Sequence, residues 1–180
     1  MRHKFHSQQW LPYPVELVFA FFANPENLPR LMPAWQKARI EEALFTAPPP
    51  APLESSPLPP RSIAAGAGTR MTLSFRPFPL SPIRIPWEAE ISEFVWNDHF
   101  CDIQLRGPFA YWHHCHRLRP ESRVTSPDTT TLGTMLLDDV EYELPFGFVG
   151  DLAQRIFIRH QLESTFAHRQ KFTSNLLRLM

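Results

Sequence analysis

The sequence has little cysteine, no net charge and no long apolar run, and each of these features excludes a class of protein. Two cysteines in 180 residues, without CxxC spacing, are too few for a disulfide-rich scaffold. Lys+Arg and Asp+Glu each total 18, so no basic field is available for a nucleic-acid backbone or an anionic membrane. No stretch approaches the roughly 18 apolar residues of a membrane span. We therefore expect neither a nucleic-acid partner nor integral membrane association.

The chain also lacks the short motifs of several common enzyme classes. It contains no GxSxG sequence, no phosphate-binding P-loop and no dinucleotide-binding glycine run, so we expect no cofactor. The opening residues MRHKFHSQQWL lack the apolar core of a signal peptide. We therefore expect a reducing, cytoplasmic location in which Cys101 and Cys115 are free thiols.

The remaining composition is that of one globular domain over residues 1–180, because 43% of the residues are apolar. A strand is predicted at residues 2–11, followed by two short helices at 14–24 and 25–32. Alternating or apolar segments then predict a run of strands between residues 37 and 144. A long helix is predicted from about residue 151 to 177, with Leu152, Ile156, Phe166 and Leu177 near one face. This order of elements is typical of an α+β protein.

A proline-rich loop insertion at residues 47–62 interrupts the strands. It contains seven of the chain's 20 prolines, a composition that favours an extended connection over a packed element. Residues 49–52 and 57–60 both match PxxP, which a protein partner with an aromatic groove could bind weakly. The segment is thus either a spacer or a minor docking site.

Three segments carry a resemblance to a known superfamily: WLPYPVELVFAFFANPENLPRLMP, FCDIQLRGPFAYWHHCHRL and DDVEYELPFG. Together with the order of elements they resemble the START-like, helix-grip (SRPBCC) proteins, and most closely the small bacterial polyketide cyclase/dehydrase-like ligand-binding proteins. The resemblance implies a curved antiparallel sheet wrapped around a long C-terminal helix, with a mostly apolar cavity between them. Carriers, regulators and enzymes share this fold, so it does not decide the function.

The histidine-rich stretch YWHHCHRL is predicted to be a strand that lines this cavity. Alternate side chains of a strand share a face, so Trp112, His114 and His116 lie on one side and His113 and Cys115 on the other. This alternation excludes a three-histidine site. His114 and His116 lie roughly 6.6 Å apart, a spacing that can suit a metal. We nevertheless expect no metal, because spacing fixes no third ligand among the candidates Asp102, Asp138 and His160.

Two registers are possible for the turn RGPFA that precedes this strand. A three-residue turn places Asp102 opposite His114, Cys101 opposite Cys115 and Gln104 opposite Trp112. A four-residue turn instead places Ile103 opposite His114 and Cys101 opposite His116. We favour the first register because it gives an imidazole on the cavity face a carboxylate partner.

The next strand extends this reasoning across a connection at residues 119–131. It places Asp138 near His114, with Val140, Tyr142 and Leu144 on the same face. Asp102, His114 and Asp138 then form a network that either performs acid–base chemistry or only orients the cavity wall.

These patterns predict a protein that binds a hydrophobic or amphipathic small molecule, either a lipid or an aromatic polyketide-like compound. The alternative is a cyclase or dehydratase in which His114 is the acid–base, with Tyr142 or Arg159 polarising a carbonyl. The sequence leaves the oligomeric state open. The candidate ligand-binding residues are Met71, Phe75, Trp87, Ile91, Gln104, Trp112, His114, His116, Val140, Tyr142, Ile156, Arg159, His160 and Phe166.

Overall fold

A seven-stranded antiparallel sheet forms the frame of the computed structural model, which describes residues 1–52, 63–145 and 157–179. The spatial order of the strands is β1-β7-β6-β5-β4-β3-β2, so the first two strands in sequence form the two edges. The strands are β1 (His3–Leu11), β2 (Arg39–Leu44), β3 (Arg70–Phe75), β4 (Ile85–Val95), β5 (His99–Arg106), β6 (Tyr111–Ser126) and β7 (Thr129–Glu143).

Two short helices follow β1, and one long helix, α3 (Arg159–Leu177), ends the described chain. Helix α1 (Val15–Ala23) ends where Asn24 turns to an extended conformation before a proline. A 3-10 turn and helix α2 (Leu28–Leu31) follow directly. None of the helices in the described ranges is long and apolar enough to cross a membrane. The predicted α+β order and helix-grip architecture are confirmed.

Two apolar clusters hold α3 against the curved sheet. The first surrounds α1, whose last six residues are all buried, and it includes Phe100 on the sheet and Leu177 on α3. The second contains Trp112, Val140, Tyr142 and Phe166. Because α3 contributes Leu177 to one cluster and Phe166 to the other, it is anchored to the sheet near its middle and at its C-terminal end.

Helix α3 also makes hydrogen bonds to the edge strand β1. The Gln170 side chain donates to the backbone carbonyl of Gln8 (3.0 Å) and to the Ser7 hydroxyl (2.8 Å). In return, the Gln9 side chain donates to the Gln170 carbonyl (2.8 Å). The helix therefore binds the edge of the sheet as well as its concave face.

The register between β5 and β6 is the three-residue alternative. Asp102 lies opposite His114 and Cys101 opposite Cys115, as predicted. The paired residues run as far as Ile103 and His113, and the predicted opposition of Gln104 and Trp112 is the next step of the same register. The Gln104 side chain donates to the carbonyl of Phe109 (2.7 Å) and accepts from its amide (3.3 Å), which closes the turn.

The β6–β7 hairpin is longer than predicted. Residues 119–131, expected to be a connection, are mostly paired strand on both sides of a tight turn. The outer part is largely solvent-exposed, so it carries no alternation of apolar and polar residues that would indicate a strand. Pro120 is tolerated there because β6 pairs only with β7 at that level.

Cys101 and Cys115 form a disulfide, so the prediction of free thiols is wrong. Their direct opposition on paired strands brings the Cα atoms to 4.1 Å, slightly closer than the roughly 4.5 Å expected for the narrower type of antiparallel pair. The bond joins β5 to β6 next to the pair formed by Asp102 and His114. It therefore fixes covalently the register on which the cavity wall depends.

Some predictions concern residues outside the described ranges. Leu152 and Ile156 are among them, as are the predicted start of the long helix near residue 151 and the second PxxP segment at residues 57–60. The first PxxP segment is described, and the Pro49 carbonyl accepts a hydrogen bond from the Trp96 indole (2.6 Å). The proposed partner for this segment remains a prediction.

Reduction of the disulfide is expected to lower the free energy of unfolding by about 3 kcal/mol. The reason is the loop of roughly 15 residues that the bond closes in the unfolded chain. Urea unfolding with and without a dithiol reductant measures the difference. The double variant Cys101→Ser/Cys115→Ser is the control and should unfold identically in both conditions. An unchanged midpoint for the parent protein on reduction would contradict the expectation.

Candidate functional site

A cavity of about 350 Å³ lies between the concave face of the sheet, the short helices and α3. Its volume falls within the range of small-molecule sites, roughly 300–1,000 Å³. Strands β3 to β6 line it with alternate residues, as expected for side chains that share one face. These residues include Met71, Leu73, Phe75, Ile85, Trp87, Ala89, Ile91, Phe100, Asp102, Trp112, His114 and His116.

Most of the predicted ligand-binding residues that the structure describes border this cavity. They are Met71, Phe75, Trp87, Ile91, Trp112, His114, His116 and Phe166. Asp102 also borders it, whereas Gln104, Val140, Tyr142, Arg159 and His160 do not. Gln104 is excluded because its side chain folds back onto the turn after β5.

Val140 and Tyr142 lie in the wall beside the cavity. Both are almost completely buried in the second apolar cluster, where Tyr142 packs near Phe109 and Trp112. Strand β7 lies farther along the sheet than β6, so its inward side chains meet β1 and α3 instead of the cavity. The sequence analysis correctly predicted that Val140 and Tyr142 lie on the inner face of the sheet. It was wrong to predict that they border the cavity.

Arg159 and His160 are exposed at the start of α3. Arg159 forms an ion pair with Glu163 (3.1 Å) and borders an open groove between β1 and α3, which Tyr142 also reaches. His160 precedes Phe166 by six residues, which places it about 120° around the helix. The groove has a more polar lining and a rim of exposed charged residues, so it is a weaker candidate ligand site than the mostly apolar cavity.

Aromatic side chains form one side of the cavity. The Trp87 ring lies edge to face with Trp112 at 4.9 Å between centroids and with Phe109 at 5.5 Å. Phe109 and Trp112 are also 4.9 Å apart. This corner presents flat, apolar surfaces to the interior, a geometry suited to aromatic or aliphatic rings.

A buried polar network forms the adjoining wall. Its centre is Oδ1 of Asp138, which lies 3.2 Å from Nε2 of His114. Nδ1 of His116 lies 2.6 Å from the same oxygen. On the other side of His114, Nδ1 lies 3.4 Å from Asp102, which also accepts from the Trp112 indole (3.2 Å). The predicted proximity of Asp102, His114 and Asp138 is confirmed.

Arg169 belongs to this network and was not predicted. Its guanidinium lies 3.7 Å from Asp138 and 3.4 Å from Nε2 of His116, and it stacks over the Phe22 ring at 4.8 Å. Arg169 follows Phe166 by three residues and therefore lies on the same, buried face of the helix. An arginine on a buried helical face is unusual, and this feature of the sequence could have identified Arg169 as part of the site.

The charges of the network offset the cost of burial. Burial alone would lower the pKa of His114, but hydrogen bonds and charges from Asp102 and Asp138 outweigh it and raise that pKa. Burial would raise the pKa of Asp138, yet the Arg169 charge and the two histidines hold it well below the usual range. The pKa of Asp102 is lowered too, because His114 outweighs the effect of burial. Both carboxylates are therefore anionic near neutral pH.

The pKa of His116 is shifted in the opposite direction to that of His114. Burial, together with the positive charges of His114 and Arg169, lowers the pKa of His116 to about 4. The ring is therefore neutral near pH 7. Because Arg169 donates toward Nε2, the proton of the neutral ring lies on Nδ1, facing Asp138.

Asp102 is the member of the network that meets the cavity most openly. Its side chain is 23% exposed, against 7% for His114 and 4% for Asp138. Both ring nitrogens of His114 face carboxylates. A ligand in the cavity would therefore contact the Asp102 carboxylate before the His114 ring.

Asp102, His114 and His116 also lie close enough to be considered as metal ligands, since each offers a ligand atom within 4.8 Å of the others. However, a nitrogen of each imidazole points toward Asp138 Oδ1, which is the arrangement of donors around a carboxylate. A cation there would lie close to the guanidinium of Arg169 and be repelled by it. The geometry favours a hydrogen-bonded network over a metal centre.

Acid is expected to destabilise the protein through His116. Unfolded histidine has a pKa near 6.5, whereas the folded value is about 4. Between these values the unfolded chain binds a proton that the native chain does not bind, so the free energy of unfolding falls as pH falls. The loss is about 3 kcal/mol in total. Urea unfolding from pH 7 to 4 measures it.

The variant His116→Gln should show a shallower acid limb, because the substituted side chain does not titrate. The matched control is His160→Gln, which changes an exposed histidine and should keep the parent slope. Equal slopes for the parent and His116→Gln would contradict the prediction.

Comparison with known proteins identifies the family. The sequence matches the family model described as polyketide cyclase / dehydrase and lipid transport over residues 11–170. Among curated proteins, none matches the sequence.

Solved structures show the same fold at low sequence identity. TTHA0849 from Thermus thermophilus is 15% identical, with 98% of each chain covered and a TM-score of 0.65. CV1439 from Chromobacterium violaceum is 14% identical, with 97% of this chain and 96% of that chain covered and a TM-score of 0.61. Truncated norcoclaurine synthase from Thalictrum flavum is 12% identical, with 96% and 93% covered and a TM-score of 0.60. Because the family model spans most of the sequence, the protein belongs to the polyketide cyclase / dehydrase and lipid transport family.

Proposed function

We propose that the protein binds a hydrophobic or amphipathic small molecule, a lipid or an aromatic polyketide-like compound, in the cavity between the sheet and α3. The observation that carries the proposal is a mostly apolar cavity whose ionisable groups are gathered in one wall. Apolar burial supplies affinity, and a few convergent polar groups fix the orientation of a ligand.

The polar wall supports a ligand with a hydrogen-bonding end. The Asp102 carboxylate faces the cavity and has lone pairs beyond those used by Trp112 and His114, so it can accept from a hydroxyl group. Nε of Arg169 is buried and has no hydrogen-bond partner among the described residues, so it can donate to a ligand oxygen. A hydroxyl or hydroxycarbonyl group satisfies both.

A structural relative supports this class of ligand. Norcoclaurine synthase from Thalictrum flavum, 13% identical with a TM-score of 0.55, has a structure in complex with dopamine and hydroxybenzaldehyde. Both compounds are small hydroxylated aromatics. We propose a ligand of similar size and character for the corner formed by Trp87, Phe109 and Trp112.

An alternative is a cyclase or dehydratase that transforms the bound molecule. The observation that favours it is an anionic carboxylate, Asp102, exposed to the cavity and in contact with His114, whose pKa is raised. In this alternative Asp102 receives a proton from the ligand. His114 positions Asp102 and stabilises its charge instead of meeting the ligand itself.

Filling the cavity should weaken binding. Leu73→Trp adds a large ring to the lining, so we expect at least a tenfold weaker affinity for the neutral fluorescent probe 1-aminoanthracene. The matched control Leu105→Trp places the same ring on β5 at a half-exposed position outside the lining. Probe fluorescence titration measures both, and circular dichroism checks that both variants fold. Equal affinity in Leu73→Trp and the parent protein would refute binding in this cavity.

The role of Asp102 can be separated from that of the apolar lining. The parent should bind 2-naphthol more tightly than naphthalene, because a hydrogen bond to a charged group contributes about 1.5–3 kcal/mol. Asp102→Leu should remove roughly tenfold or more of the preference and leave naphthalene affinity nearly unchanged. Competition against the fluorescent probe measures both affinities. The control Asp139→Leu removes a carboxylate from the opposite face, and loss of the preference there would contradict the role of Asp102.

A further inference from the structure

The convex face of the sheet, opposite the cavity, carries a second cluster of reactive side chains. Strand β5 contains His99 and Cys101, and strand β6 contains His113 and Cys115, each pair separated by one residue. Alternation places all four on the face away from Asp102 and His114. The two strands thus present a repeated His-x-Cys pattern whose cysteines lie directly opposite each other.

The geometry of this cluster is close to that of a tetrahedral metal site. Nε2 of His113 lies 3.7 Å from Sγ of Cys115, and Oε2 of Glu93 on β4 lies 3.8 Å from Sγ of Cys101. A tetrahedral zinc ion with sulfur at about 2.3 Å and nitrogen or oxygen at about 2.0–2.1 Å has ligands roughly 3.5–3.8 Å apart. Two edges of such a tetrahedron are therefore already present in the oxidised protein.

Neighbouring groups hold these potential ligands in place. Nε2 of His99 lies 3.5 Å from Oε2 of Glu93, and its Nδ1 lies 2.6 Å from Asp98. Glu141 lies opposite His113 in the β6–β7 ladder, and their charges interact. Partners of this kind orient metal ligands in proteins, and they are independent of the cysteines themselves.

We propose that, when the disulfide is reduced, Cys101, His113, Cys115 and Glu93 bind one thiophilic divalent cation of the zinc class. Completing the tetrahedron requires the sulfur atoms to separate to about 3.8 Å by side-chain rotation and the Glu93 carboxylate to move toward the cluster formed by Cys101, His113 and Cys115. The disulfide and the metal are mutually exclusive occupants of the same cluster. The ligands share no atom with the cavity network, so this site is independent of the proposed function.

The disulfide form is converted to the metal-binding form by thiol–disulfide exchange. A dithiol reductant attacks the disulfide, breaks the S–S bond and leaves with its own sulfurs joined, having supplied two electrons and two protons to Cys101 and Cys115. Metal binding then displaces both thiol protons to solvent and forms two metal–sulfur bonds. An oxidising disulfide reverses the sequence and releases the ion.

Cobalt(II) is the probe, because thiolate ligation gives a charge-transfer band and tetrahedral geometry gives intense visible bands. The protein is reduced anaerobically with dithiothreitol, desalted and titrated with Co²⁺. We expect saturation at one Co²⁺ per chain, displacement by Zn²⁺, and no thiolate band in the oxidised protein. His113→Gln should weaken binding at least tenfold, and Cys115→Ser should abolish the site. The control His160→Gln, an exposed histidine on α3, should bind as the parent does.

Three results would overturn the proposal. They are the absence of a thiolate–cobalt band in the reduced parent, equal affinity in His113→Gln and the parent, and a stoichiometry other than one per chain. Circular dichroism is recorded during the same titration. Loss of the sheet in the reduced protein both with and without metal would also overturn it, since the ligands converge only on the folded strands.

Discussion

The buried carboxylate of Asp138 is the charge around which the interior is arranged. His114, His116 and Arg169 surround it from β6 and α3. Removing one partner of a buried ion pair costs about 3–5 kcal/mol, because the remaining charge stays desolvated. Asp138 therefore couples the position of the helix to the register of the sheet. The two apolar clusters keep water away from Asp138 and its partners. The resulting low dielectric strengthens the interaction between the helix and the sheet.

The same carboxylate separates the behaviour of two neighbouring histidines. His114 lies between Asp102 and Asp138, which raise its pKa, whereas His116 lies between Asp138 and the Arg169 charge, and its lowered pKa keeps the ring neutral near pH 7. Their ring centroids are only 4.1 Å apart, so two positive rings would repel each other. The two rings therefore have pKa values shifted in opposite directions, so the positive charge is favoured on His114 over His116.

Local periodicity predicted the α+β order of elements and much of this wall, whereas the helix-grip architecture was predicted from the family resemblance. Alternation in β6 placed His114 and His116 inward, and the need of a buried imidazole for a carboxylate selected the correct register with Asp102. Arg169 was missed because a single cation in a helix resembles a solvated residue until the depth of burial is known. Periodicity gave the face of Tyr142 but not its distance from the cavity along the sheet. The outer part of the hairpin was missed because exposure on both faces leaves no periodic signal. The opposition of Cys101 and Cys115 followed from the register, but the free thiols were inferred from an assumed reducing compartment, and the disulfide shows that inference to be wrong.

The hydrogen bonds between α3 and β1 also affect how separate copies of the chain meet. An edge strand presents unpaired backbone groups that can template pairing with another molecule and start aggregation. The Gln170 side chain donates a hydrogen bond to the backbone carbonyl of Gln8, and α3 packs beside that part of β1. The helix that closes the cavity therefore also makes this edge a poor partner for a neighbouring sheet. One element thus contributes both to enclosing a ligand and to colloidal stability.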